Sequence, residues 1–124
     1  MMHRKQLLGI LLVAAGVAFG SPLYAAVKSN TGKIVQTLVK GDAIFGGCMV
    51  KLDKNIGAGC TNWVSFGCSG EPLPYSKDVA YNMFDSAKMA FALGWEVKIW
   101  GDNQQLVNGH CLATRIDVMG PPAP

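Results

Sequence analysis

Four cysteines in a short chain constrain this protein more than any other feature of its sequence. They are Cys48, Cys60, Cys68 and Cys111, in a chain of 124 residues. An even number of cysteines in a small exported chain indicates a disulfide framework. Zinc sites usually pair their ligands about two to four residues apart, whereas seven residues separate even Cys60 from Cys68. The spacing favours two disulfides over a metal site, and we expect neither a metal nor a cofactor.

The N-terminus carries the three parts of a secretory signal. A basic cluster at residues 3–5 precedes an apolar run of 13 residues from Leu7 to Phe19, and small residues follow at Ala25 and Ala26. A membrane span needs about 20 apolar residues, so this run is too short to be one. The pattern predicts a cleavable signal over residues 1–25 and a secreted or periplasmic protein. Because no cysteine lies near the cleavage point, a lipid anchor is not indicated.

Removal of the signal changes both the length and the charge of the chain. The remaining 99 residues suit one domain, which we place at residues 26–119. Arg4 and Lys5 leave with the signal, so nine basic residues face eight acidic ones and the net charge is +1. Such a balance gives no electrostatic reason to expect nucleic acid or an anionic membrane as partner. The Pro-rich residues 120–124 cannot join a sheet and are predicted to form a flexible tail.

One helix and five strands are predicted in the domain. Small and large apolar residues recur at steps of three and four over residues 77–93, with Ser76 as N-cap and Gly94 as stop, which predicts a helix. Runs rich in β-branched and alternating apolar residues predict strands, and they lie at 33–40, 48–52, 63–66, 95–100 and 111–118. Residues 27–32 are interpreted as a loose lead-in, and residues 101–103 as the start of a polar loop.

The order β-β-β-α-β-β is that of a small β-barrel of the OB-fold type. In such a barrel the strands hide most sheet edges, and the helix between the third and fourth strands closes one end. The same order also fits an open α+β sheet with the helix on one face. Element order alone leaves both architectures open.

Two ways of pairing the cysteines remain open, and geometry favours one. Folding the second strand back on the third centres the turn near Ala58 and sets Cys48 opposite Cys68, within disulfide reach. Cys60 is then free to meet Cys111, because the third and fifth strands can approach each other in a closed barrel. The rival pairs Cys48 with Cys60 and Cys68 with Cys111, and loop entropy does not separate the two. The third pairing requires a bond between Cys60 and Cys68 within one extended strand and is disfavoured.

The residues offer little support for catalysis. After removal of the signal, His110 is the only imidazole, and paired cysteines are not nucleophiles. Asp102 and Asp117 are the one candidate carboxylate pair for sugar chemistry, but both fall at strand ends or loops, where a solvated carboxylate is the usual state. His110, beside Cys111, is interpreted as a surface loop residue. The sequence therefore predicts a protein that is not an enzyme.

Three tryptophans give a binding role more support. Trp63 and Trp95 are assigned to the core or to a subunit interface, where aromatic residues are common. Trp100 falls on the strand face opposite to the inward-pointing valine and isoleucine beside it, and Asp102 and Asn103 follow closely. An exposed indole next to hydrogen-bonding groups suits a sugar, so Trp100, Asp102 and Asn103 form the candidate ligand site. The alternative is that Trp100 is also a core or interface residue.

The stretch from 81 to 99 resembles small exported bacterial proteins of largely unknown role, in which an Ala-rich helix ends in Gly and a valine-centred strand follows. Over residues 33–118 the arrangement of cysteines, helix and strands is similar to the B subunit of subtilase cytotoxin. This resemblance implies an exported OB-fold that forms a pentamer and binds sialylated glycans, although none of that subunit's glycan contacts aligns onto this chain. We expect a non-catalytic binding domain for a glycan or cell-surface receptor. The alternative is a periplasmic structural or accessory protein without a glycan ligand.

Overall fold

A computed structural model describes residues 27–69 and 74–121. Its elements follow the predicted order, and they are β1 (Val27–Val39), β2 (Cys48–Leu52), β3 (Trp63–Ser65), α1 (Lys77–Leu93), β4 (Glu96–Val107) and β5 (His110–Gly120). The predicted signal, residues 1–25, lies outside the described residues, as do residues 122–124 of the predicted tail. Within the described ranges, no helix combines the length and the apolar composition needed to cross a membrane.

The five strands close into a ring in the order β1-β2-β3-β5-β4. Every pairing in the ring is antiparallel except that of β3 with β5, where Val64 pairs with Cys111. β1 takes part in two pairings, with β4 through its first half and with β2 through its second half. A register shift between Ile34 and Gln36 falls where β1 passes from one partner to the other. The ring differs from the open α+β sheet that the order of elements also allowed.

The helix α1 has the predicted bounds, because the residues that start and end it lie next to it in the sequence. The Ser76 hydroxyl accepts a hydrogen bond from the Val79 backbone N–H, and Gly94 ends the helix in the left-handed region at φ +68°. The apolar stripe is buried against the ring interior. Within that contact the Phe84 and Phe66 rings lie 5.8 Å apart between centroids. This packing joins α1 to the same core that β2, β3 and β4 fill from inside the ring.

Two disulfides each join a strand to a loop residue that flanks β3, Cys48 with Cys68 and Cys60 with Cys111. These are the pairs that the sequence analysis favours, but the strand register behind that argument was wrong. Val50 pairs with Val64, so the β2–β3 turn is centred one residue earlier than predicted and Cys48 is not directly opposite Cys68. The chain instead turns at Gly67, at φ +68°, and brings the two Cα atoms within 5.5 Å.

β1 and β4 are both longer than predicted. The predicted lead-in, residues 27–32, is the first half of β1, and the predicted loop at residues 101–103 continues β4. The two segments meet at the end of the β1–β4 ladder, where Val27 pairs with Asp102 and Lys28 with Gly101, and the rest of the lead-in pairs with the predicted part of β4. Backbone hydrogen bonds form this ladder regardless of side-chain polarity, so the polar composition of both segments concealed the strands. Gly120, assigned to the tail, is the last residue of β5.

Tyr75 ties the segment before α1 to β5 and to the residue that follows β3. Its hydroxyl lies 2.7 Å from the Ala113 carbonyl oxygen and 3.1 Å from that of Phe66. Burial raises the pKa of Tyr75 above its ordinary value, so the group stays protonated and keeps its donor. One proton thus serves two carbonyl groups that belong to different parts of the fold.

Replacement of Tyr75 by phenylalanine is expected to lower the free energy of unfolding by about 1–2 kcal/mol, because two carbonyl groups lose their shared donor. Urea denaturation of the wild type and the variant measures this change. Tyr81→Phe is the matched control, since Tyr81 is exposed on α1 and surface changes usually stay within about 0.5 kcal/mol. Equal effects of the two substitutions would contradict the role assigned to Tyr75.

Candidate functional site

An open pocket lies on the outer face of β1, β2 and β3. Its cavity measures about 210 Å³, and the lining residues are Leu38, Phe45, Met49, Trp63 and His110. Val50 and Val64 belong to the ring core, so Met49 and Trp63, which adjoin them, point to the opposite face. Leu38 is paired with Met49 across β1 and β2 and therefore shares that face. The pocket is thus separate from the ring interior, which the core side chains occupy.

The loop of residues 40–47 brings Phe45 to the pocket. Gly46 and Gly47 follow Phe45 with φ of +73° and +82°, a conformation that side-chain-bearing residues rarely adopt. A Cβ on Gly46 would also collide with the Ser65 hydroxyl. That hydroxyl donates a 2.9 Å hydrogen bond to the Phe45 carbonyl oxygen. The loop is therefore held back against β3, which keeps the Phe45 ring beside the pocket.

His110 and Thr61 supply the polar part of the site. The Thr61 hydroxyl oxygen lies 2.9 Å from Nδ1 of His110, and the His110 ring is 6.1 Å from the Phe45 ring between centroids. Each of the two residues directly adjoins a cysteine of the Cys60–Cys111 disulfide. The covalent bond therefore fixes the distance between the threonine and the histidine.

Two ammonium groups flank the aromatic rings of the pocket. Lys40 Nζ lies 5.1 Å from the Phe45 ring centroid, and it also forms a 3.2 Å ion pair with Asp42. Lys51 Nζ lies 5.9 Å from the Trp63 ring centroid. Both distances are within the range of cation–π contacts. The rim of the pocket is therefore positive, while its lining is mostly apolar.

The arrangement of groups suits binding. In residues 27–69 and 74–121 no three His, Cys, Asp or Glu side chains are grouped to hold a metal ion, and all four cysteines are in disulfides. The site offers an indole and a phenyl ring, a thioether, and one imidazole. These groups can bind a ligand that has an apolar face and an oxygen atom next to it.

Asp102 and Asn103 of the sequence-predicted site have hydrogen-bond partners within the protein. The Asp102 carboxylate is largely buried and accepts hydrogen bonds from the Gln104 N–H at 2.8 Å and from Gln105 Nε2 at 3.0 Å. The Asn103 amide donates a 3.1 Å hydrogen bond to the Ala58 carbonyl oxygen. These contacts shape β4 and attach it to the β2–β3 loop.

Trp100 lies on the outer face of β4, half-buried between two cations. Lys98 Nζ is 4.8 Å and the Arg115 guanidinium carbon 4.2 Å from its ring centroid. Arg115 in turn forms a two-point ion pair with Asp117, at 2.9 and 2.8 Å. None of Trp100, Asp102 and Asn103 lines the pocket, so a ligand site at these three residues stays a prediction.

Two residues of the pocket were assigned elsewhere from the sequence. Trp63 was assigned to the core or an interface. It is half-buried on the outer face and lines the cavity, which corrects the core assignment, while the interface assignment stays a prediction. His110 was assigned to a surface loop, but it is the first residue of β5 and half-buried. Alternation with Val64 was a signal that Trp63 faces outward. No comparable local signal indicated that Phe45 and His110 meet it.

Comparisons with protein-family models, with curated proteins and with solved structures find no match to this chain. They give no support to a link with the subtilase cytotoxin B subunit.

Loss of the Ser65 hydroxyl is expected to loosen the Phe45 loop. Ser65→Ala leaves the Phe45 carbonyl and the Gly67 N–H without the shared hydroxyl, so amide hydrogen exchange should accelerate at residues 42–47. A destabilisation of about 1–2 kcal/mol should accompany it. Ser86→Ala on the α1 surface is the matched control, since its hydroxyl bonds only to its own helix at Asn82. Unchanged exchange in the loop of Ser65→Ala would show that this bond does not hold Phe45.

Proposed function

We propose that this protein is an exported, non-catalytic glycan-binding domain with an OB-fold, and that its ligand occupies the pocket at Trp63. The strand order, the single parallel pair of β3 with β5, and the helix between β3 and β4 support the assignment of the fold. OB-folds bind oligonucleotides and oligosaccharides at the face of strands 2 and 3, between the loops that follow strands 1 and 4. The pocket has this location, with Phe45 from the first of these loops and His110 next to the second.

The proposal rests on one observation: the Trp63 indole and the His110 imidazole line the same pocket, whose other lining residues are apolar. The Trp63 and Phe45 rings offer flat surfaces for the C–H face of a sugar ring, and Met49 closes the floor. His110 adds a polar nitrogen that can bond to a sugar oxygen. Small-ligand sites typically have an apolar lining and a few polar groups that orient the ligand. The cavity volume of about 210 Å³ suits a single sugar ring or a similar group.

Charge favours a sugar over single-stranded nucleic acid as the ligand. Nucleic-acid channels of OB-folds combine stacking aromatics with a positive groove that follows several phosphates. Among the residues that the structure describes, only Lys40 and Lys51 contact the aromatic rings of the pocket, and Asp42 partly neutralises Lys40. The predicted mature chain is close to neutral, which fits a short polar ligand better than a polyanion.

The two disulfides fit an oxidising compartment, where a protein meets the glycans of cell surfaces. Export, secreted or periplasmic, agrees with this chemistry and with the predicted signal. The pentameric state implied by the resemblance stays a prediction, which the mass of the protein in solution would test.

A glycan array tests the proposal directly. The wild type is expected to bind at least one glycan, and Trp63→Ala should weaken that binding about tenfold or more, because the stacking surface is lost. Trp63→Phe should retain part of the affinity. Trp100→Ala is the control variant for the pocket and should bind as the wild type does.

The array results also separate the alternatives. Loss of binding in Trp100→Ala but not in Trp63→Ala would move the ligand to the sequence-predicted site at Trp100, Asp102 and Asn103. If the folded wild type binds no glycan, the proposal is wrong, and the alternative of an accessory interaction domain gains support. Circular dichroism and disulfide mapping confirm that each variant is folded.

A further inference from the structure

The Thr61 hydroxyl is surrounded by three polar atoms that compete for it. The Trp63 backbone N–H donates to it at 3.1 Å, His110 Nδ1 lies at 2.9 Å, and the Trp63 carbonyl oxygen lies at 3.2 Å. A hydroxyl has one proton to donate and two lone pairs to accept with. Its single proton therefore makes its main bond either to His110 or to the Trp63 carbonyl.

The distances favour donation to His110. The 2.9 Å separation from Nδ1 is a normal hydrogen-bond length, whereas 3.2 Å to the carbonyl oxygen exceeds the usual range of about 2.5–3.0 Å for O–H···O bonds. When Nδ1 accepts, the proton of the neutral imidazole must be on Nε2. Nε2 has no hydrogen-bond partner among the described residues. Every buried side-chain nitrogen or oxygen atom in these residues has a partner, so Nε2 must be accessible to solvent.

We propose that Thr61 is a positioning residue that holds neutral His110 in the Nε2–H tautomer, so that the pocket presents a fixed hydrogen-bond donor to its ligand. The role of this donor in binding rests on the proposed function, but the tautomer is a property of the free protein. A ligand must then bring an oxygen acceptor, such as a hydroxyl, carbonyl or carboxylate oxygen, to Nε2. A group that can only donate at this point is excluded.

The same geometry preserves the donor in acid. When Nδ1 takes up a proton, it becomes the donor to the Thr61 hydroxyl, and the hydroxyl proton can turn to the Trp63 carbonyl oxygen. The Nε2–H remains in both states. The charged groups at the neighbouring rings are Lys40, Asp42 and Lys51, and His110 is paired on β4 with the uncharged Val107.

Nitrogen-15 NMR of the ligand-free, full-length protein tests the tautomer. Long-range proton–nitrogen correlations of the imidazole distinguish the two neutral forms, and His110→Asn identifies the signal, because the chain has only two histidines. When the wild-type imidazole is neutral, the Nε2–H form alone is expected. Thr61→Val should show a mixture close to that of free histidine, and Thr61→Ser should restore the single form.

Two results would overturn the proposal. One is an Nδ1–H pattern, or a mixture of tautomers, in the wild type, which decides the question even if Thr61→Val does not fold. The other is a folded Thr61→Val protein with the same single tautomer as the wild type. Because no ligand is present, neither result depends on the outcome of the glycan array.

A matched pair of variants tests the use of the donor in binding. Glutamine and glutamate have the same shape, but at neutral pH only glutamine can donate. On an array glycan that the wild type binds, His110→Gln is expected to keep at least tenfold more affinity than His110→Glu. Equal affinities of the two variants would show that donation from His110 does not contribute to binding.

Discussion

Closure of the ring depends on the contact between β3 and β5, which is the shortest ladder in the structure. Only two residue pairs form it, Val64 with Cys111 and Ser65 with Leu112, and parallel pairing is slightly less stable per residue than antiparallel pairing. The Cys60–Cys111 disulfide lies at the start of this contact and joins positions 51 residues apart. Loop-closure entropy for such a separation is worth about 4 kcal/mol. The covalent bond thus supplies stability that so short a ladder lacks.

The site depends on the same bond. Thr61 and His110 adjoin the two cysteines, so the link that closes the ring also sets the hydrogen bond between the threonine hydroxyl and the imidazole. The second disulfide, at Cys48 and Cys68, has a similar relation to the loop that carries Phe45. Core side chains fill the inside of the ring, and the binding groups lie outside it on a framework fixed by two covalent bonds. Rigid scaffolds that present loop residues are a common basis of binding sites.

Features encoded locally were predictable, and features made by distant pairing were not. The bounds of α1 followed from Ser76, Gly94 and the apolar period. The first half of β1 and the second half of β4 were missed, because their polar residues become strands only through pairing with distant segments, β1 with the first half of β4 and the end of β4 with β5. The pairing of Cys48 with Cys68 was predicted from a register that was wrong by two residues. A shift of two keeps every side chain on its own face, which is why the disulfide inference survived.

The pocket was missed for a reason that follows from its construction. Alternation along β3 indicates that Trp63 points away from Val64, but it does not tell whether an outward tryptophan is exposed, buried or part of a cavity. That depends on the Phe45 loop, which returns to β3 because Gly46 and Gly47 adopt positive φ and because Ser65 bonds to a carbonyl 20 residues earlier. It depends equally on His110, which reaches Trp63 only because β5 lies beside β3. Each contributing segment is unremarkable when considered alone, so the site is a consequence of ring closure and has no signature in any one stretch of sequence.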